Sequence, residues 1–152
     1  MAIYFYHLTR SPLERALPAL LTRALAAGWR VALRAPEDRL EELDDMLWRV
    51  PEEEFVPHGR EGTGRDDRNP VLLTTGGPEA RECLLAACGA PVEPGEVAGL
   101  ERAMLVFDGR DMDELGAARQ RWKDMTAAGV EAQYWSEETG KWALKASSGG
   151  AD

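Results

Sequence analysis

Covalent and metal chemistry have little to work with in this sequence. Two residues are cysteine and two are histidine. Cys83 and Cys88 are spaced neither as C-x-x-C nor as a zinc pattern, and no histidine lies near them, so they read as two inert buried thiols. His7 falls within an apolar run and reads as a structural residue; His58 is the other. There is no glycine-elbow serine, no G-x-G-x-x-G and no G-K-[ST]. No general base, nucleophile or metal constellation stands out, and no cofactor is expected, which points toward a binding module. No apolar run approaches the roughly 20 residues that span a bilayer. No basic stretch precedes the opening MAIYFYHL, so it reads as a strand rather than a signal peptide, and the cytoplasm is the expected location. Basic charge is short as well: 18 Lys and Arg stand against 27 Asp and Glu, for a net −9. Affinity for nucleic acid comes mainly from neutralising phosphates, so direct DNA contact is disfavoured. A local basic patch, or a role beside DNA through a protein partner, stays open.

What is present is an ordinary globular composition, 44% hydrophobic and 30% charged over 152 residues, which favours one domain. We assign residues 1–146 to it and residues 147–152, SSGGAD, to a frayed tail. IYFYHL (3–8) reads as a buried strand. Ser11-Pro12-Leu13-Glu14 then opens a helix with Ser11 as cap, Pro18 kinking it or delaying its start, and Gly28 closing it. WRVALRA (29–35) reads as a second strand, leading to an amphipathic helix over Leu40, Leu43, Met46 and Leu47. Strand, helix, strand, helix with short loops implies βα units on a parallel sheet with right-handed crossovers. Further strands are expected at PVLLTT (70–75) and AMLVF (103–107), with a closing pair at 130–135 and 141–144 around Glu137-Glu138-Thr139-Gly140. Residues 79–88 read as a helix with Leu84 and Leu85 inward, and 90–102 as mixed loop. The longest helix is expected at 111–128, with Met112, Leu115, Ala118, Trp122 and Met125 facing in.

Two glycine-rich places could be mistaken for phosphate cradles. The loop GREGTGRDDRN (59–69) does not join a strand directly to a helix, and Gly76-Gly77 has no lysine or metal-holding hydroxyl beside it. The acidic clusters Glu41-Glu42, Asp44-Asp45 and Glu52-Glu53-Glu54 read as solvated faces, because basic residues alternate around them. More informative is 39–58, RLEELDDMLWRVPEEEFVPH. Pro51 stops its helix, which sets Trp48 and Phe55 on either side of a forced bend. Both rings could fill core, as large aromatics mostly do, or both could point into one hollow.

Several stretches together resemble the chi subunit of bacterial DNA polymerase III. They are FYHL at 5–8, LDDMLWRVPEEEFVPH at 43–58, PVLLT at 70–74, AARQRWKDMTAAGVEAQYW at 117–135 and GKW at 140–142. They run in the expected order, and LD-x-x-LW…F-x-PH is the most specific of them. The resemblance implies a three-layer α/β/α sandwich around a mostly parallel, mixed sheet, nucleotide-fold-like without a nucleotide. It implies a non-catalytic accessory subunit in the clamp-loader assembly of the polymerase. Such a subunit binds the acidic C-terminal tail of single-stranded DNA-binding protein and joins the holoenzyme through a psi subunit where one exists.

The resemblance also implies one tail-binding pocket, built from Trp48 and Phe55 with Arg119, Trp122 and Lys123 of the late helix. Read directly, Arg119, Trp122 and Lys123 share a helix face at i, i+3 and i+4. An acidic tail with an apolar end needs an aromatic slot and cations, and arginine can hold a carboxylate with two hydrogen bonds. A solvated face pairing with Asp124 or Asp108 is the plainer reading of the two cations. Leu115 stands where the family can carry a further basic residue, so the pocket should lean on Arg119. The alternative is a small nucleotide-binding or hydrolytic α/β enzyme, working at the sheet edge near Thr9, Ala35 and Thr75.

Overall fold

Seven parallel strands and one antiparallel edge strand make the sheet of the computed structural model, which describes residues 2–64, 66–138 and 141–148. In chain order the elements are β1 Ala2–Leu8, α1 Leu13–Ala26, β2 Val31–Arg34, α2 Glu37–Trp48, β3 His58–Arg60 and β4 Val71–Thr74. Next come β5 Cys83–Ala86, the single-turn α3 Pro94–Val97, β6 Arg102–Asp108, α4 Met112–Ala127, β7 Glu131–Glu138 and β8 Lys141–Ser148. The strand order is β3-β4-β2-β5-β6-β1-β7-β8.

Alternation along the central strands divides the core into two layers. Tyr6 and Leu8 of β1 and Met104 and Val106 of β6 face α1 and α2, joining Leu17, Leu21, Leu40, Leu43 and Leu47. Ile3 and Phe5 of β1 and Ala103, Leu105 and Phe107 of β6 face the other way, against α3, Ala118 and Met125. The expected α/β/α sandwich on a mostly parallel, mixed sheet is therefore what forms.

Local chemistry explains where elements start and stop. After α1, Gly28 (φ +87°) lets its N–H reach Leu25 O while Trp29 N–H reaches Ala24 O, which satisfies carbonyls the helix leaves open. Gly129 closes α4 in the same way, and Asp111 caps its start through the N–H groups of Asp113 and Glu114. At α1 the sequence expectation needs correcting. The helix runs from Leu13 with Pro18 inside it, and Ser11 does not cap it through its own side chain. The carboxylate of Glu137, from β7, accepts the N–H groups of Thr9, Arg10 and Ser11 instead.

Other expectations also give way. Residues 83–86 form β5, a fully buried central strand, rather than a helix. A four-residue apolar run has no period to separate strand from helix, and its position between β2 and β6 decides. Gly76-Gly77 therefore precedes no helix. The loop at 59–69 begins as strand, since Gly59 and Arg60 pair with Leu72 and Leu73 of β4. Met112 is 77% exposed at the first turn of α4, not inward. β8 runs on through Ser147 and Ser148, two residues into the expected tail. Thr139, Gly140 and residues 149–152 lie outside the described residues. Both thiols are held protonated by burial, Cys83 pushed up to about 12 and Cys88 to about 11.

Candidate interaction surfaces

Pro51 ends α2 as expected, and a 3-10 turn at Glu52–Glu54 brings the chain back across the end of the helix. Leu40, Leu43 and Leu47 take the inward face of α2, which leaves Trp48 outside. Trp48 is 61% exposed and Phe55 37%, so neither is core filler. Their ring centroids are 5.1 Å apart. His58, the first residue of β3, completes the cluster at 4.9 Å from Trp48 and 5.5 Å from Phe55. Its imidazole is buried, with Nδ1 donating to Val56 O at 2.8 Å and Nε2 3.2 Å from Asp44 Oδ1. The histidine is the floor of the aromatic patch, a role that the F-x-P-H spacing could have signalled.

Arg119, Trp122 and Lys123 sit elsewhere. α4 packs on β6 and β7, on the opposite face of the sheet from α2. β3 and β1 are five strand spacings apart, about 24 Å at about 4.8 Å each. One hollow holding all five residues does not form. The reason lies in the connection: β6 runs beside β1, and α4 returns from it on the far face to β7. The structure thus pairs Trp48 with Phe55 and, separately, Trp122 with Arg119 and Lys123.

The second surface has its own aromatic floor. Trp122 is half-buried, edge-on to Phe5 at 5.4 Å and to Tyr134 at 5.8 Å. Tyr134 hydrogen-bonds through its hydroxyl to His7 Nδ1 at 2.8 Å, and His7 stacks on Phe107 at 4.8 Å. Arg119 and Lys123 are exposed on α4, three residues before Trp122 and one after it. The field of Arg119 reaches both His7 and Tyr134. Burial and then Arg119 hold the His7 ring below its usual value, so it is neutral at pH 7. Burial raises the Tyr134 hydroxyl, with Arg119 opposing. Asp124 and Asp108, the partners of the plainer reading, pair with Arg121 and Arg110 instead. Leu115 packs half-buried against the second core layer. His7 and Tyr134 were missed as contributors; the strand period places both on the α4 face, but only the β1–β7 pairing brings them together.

The carboxyl ends of the strands, where open α/β folds hold ligands, are filled from within. Glu137 takes the N–H groups after β1. Arg34, ending β2, binds Glu96 with two hydrogen bonds, at 2.9 and 2.6 Å, and donates to the carbonyls of Gly76 and Pro91. Glu61 accepts from the hydroxyls of Thr74 and Thr75 after β4. This arrangement counts against the enzyme alternative at that edge. A hollow of about 740 Å³ lies between the start of α1 and the end of α2, lined by Arg15, Met46, Arg49 and Pro51 among others. None of the five sequence-selected residues lines it. Among the described residues no group of histidine, cysteine and carboxylates could hold a metal, and no helix is long and apolar enough to cross a membrane.

No curated protein matches the chain. The family model described as DNA polymerase III chi subunit, HolC, matches residues 1–133. That span takes in β1 through α4 and the first residues of β7, and with them Trp48, Phe55, His58, Arg119, Trp122 and Lys123. The chain belongs to the DNA polymerase III chi subunit family, whose members are accessory to the replicative polymerase.

Proposed function

We propose that the chain connects the polymerase III clamp-loader assembly to single-stranded DNA-binding protein, and that it does so with two separate surfaces. The acidic C-terminal tail docks on α4. The observation that carries this reading is the pair of exposed cations, Arg119 and Lys123, flanking a half-buried Trp122 along α4 on a protein of net charge −9. Aspartates of the tail meet the cations, and its terminal apolar side chain lies against Trp122 and Tyr134. The terminal carboxylate takes the guanidinium of Arg119 with two hydrogen bonds. Acidic surroundings repel other anionic peptides that fit less well, which sharpens selection.

The Trp48–Phe55–His58 patch offers three adjoining rings and suits an apolar contact. Exposed adjacent rings on a soluble protein mark a protein interface, and tryptophan is prominent among residues that anchor one. We assign it to the subunit that anchors the chain in the assembly, psi where one is present.

A calorimetric titration with an acidic peptide ending in phenylalanine tests the first surface. Affinity should be micromolar, about −7 to −9 kcal/mol, and should weaken as salt rises. Arg119→Ala should cost about 2 kcal/mol. Equal binding by wild type and Arg119→Ala would remove the tail from this surface.

A further inference from the structure

Five rings surround a groove that the replication role does not use. Tyr4 and Tyr6 of β1, Trp29 before β2, Trp135 of β7 and Trp142 of β8 line a cavity of about 320 Å³ beside the C-terminal half of α1. It lies on the α1 face of the sheet, where Tyr4, Trp29, Trp135 and Trp142 pack only partly buried against the core. Two cations join the rings. Arg102, the first residue of β6, lays its guanidinium 3.8 Å over the Tyr4 ring and 5.2 Å from that of Trp29. Its Nε is buried and has no acceptor among the described residues. Arg23, from the last turns of α1, stands exposed in the same lining. Both arginines act electrostatically on the Tyr6 hydroxyl, so their fields overlap inside the groove.

An arginine held over a tyrosine ring still has N–H groups to give to an acceptor. The rings line the cavity rather than fill it, so another flat ring can lie against them. The volume is at the small end of ligand cavities, the size of a base with its sugar phosphate. The groove also lies toward the amino ends of the parallel strands, since Arg102 opens β6 and Trp29 precedes β2. It is therefore distinct from the carboxyl ends filled by Glu137, Arg34 and Glu61, and a ligand here would be held by side chains. We propose that this groove binds a planar aromatic anion of about mononucleotide size, its ring among the tryptophans and its anionic group on Arg102 and Arg23. Charge selects the class: two cations on an aromatic floor favour a ring with an anion attached over a neutral one.

The five tryptophans give the readout, because Trp48 and Trp122 lie on the other two surfaces and serve as internal controls. Indole N–H signals of the full chain are followed by NMR during titration with AMP, with 2-naphthoate and with adenosine. The expected result is saturable movement of Trp29, Trp135 and Trp142, with Trp48 and Trp122 still, for AMP, for 2-naphthoate or for both. AMP alone assigns a nucleotide, and 2-naphthoate alone a simpler aromatic acid. Adenosine should bind at least about tenfold more weakly than AMP, and Arg102→Gln should weaken the anions by about the same factor. If Arg102→Gln does not keep the folded spectrum, Arg23→Gln carries the same comparison from an exposed position. The proposal is overturned if neither anion gives saturable shifts up to on the order of 5 mM, if adenosine equals AMP where AMP binds, or if the folded arginine variant binds like wild type.

Discussion

At Leu47 and Trp48 one peptide bond separates a fully buried side chain from one that is 61% exposed. Leu47→Ala should cost about 2 to 5 kcal/mol in urea unfolding, because it empties core space under α2. Trp48→Ala should stay within about 0.5 kcal/mol, since its ring mostly faces water. A large stability loss from the tryptophan would return it to the core. Glu137 is a second position with a single-residue consequence. Burial pushes its carboxyl up, but the Ser11 hydroxyl and the N–H groups of Arg10, Thr9 and Ser11 more than reverse this, and it titrates at about 2. Its folded value lies below the ordinary one near 4.5. The stability it contributes is therefore complete above about 4.5 and fades as pH falls toward about 2. Glu137→Gln should melt lower than wild type at pH 7, and the gap should close between pH 4.5 and 2.5 in thermal scans.

Elements differ in how far their residues announce them. α1, α2 and α4 carry apolar stripes long enough to show a period, and Gly28 and Gly129 mark the ends of α1 and α4. β1, β4 and β6 are apolar runs between turn residues. β3 and β5 are not legible, because HGR and CLLA are too short to carry a pattern and become strands only through β4, β2 and β6. The site divides the same way. The i, i+3, i+4 spacing on α4 and the bend at Pro51 are local and can be read. Which face of the sheet each helix covers is set by the crossovers, so the residues alone do not separate the two halves. Arg81 shows how such illegible parts are tied together. It is buried beside β5 and donates to the carbonyls of Val31, Asn69, Pro70 and Asp66. Arg81→Ala leaves carbonyls buried and unmatched, and should cost about 2 to 4 kcal/mol. Hydrogen exchange should accelerate first at β4, whose leading residues the guanidinium holds.

Across the whole molecule the acid response is a balance of such groups. The hydrogen bonds from Arg34 hold Glu96 below its usual value, as do those from Arg110 for Asp108 against a burial effect, while burial raises Glu114. The first two lose stability with Glu137 as pH falls below the ordinary carboxylate range, and Glu114 opposes them. The opposite placement of the two aromatic surfaces has a consequence that binding can read. Sites on opposite faces of the sheet share no side chain, so they should act independently. Trp48→Ala should bind the acidic peptide with wild-type affinity while losing the anchoring subunit. Arg119→Ala should do the reverse, and the double variant should show both losses with no coupling beyond about 0.5 kcal/mol. Wild type should hold peptide and subunit together in one ternary complex by analytical ultracentrifugation. Competition between them would mean that the tail reaches across to the Trp48 patch, and would restore a single shared site.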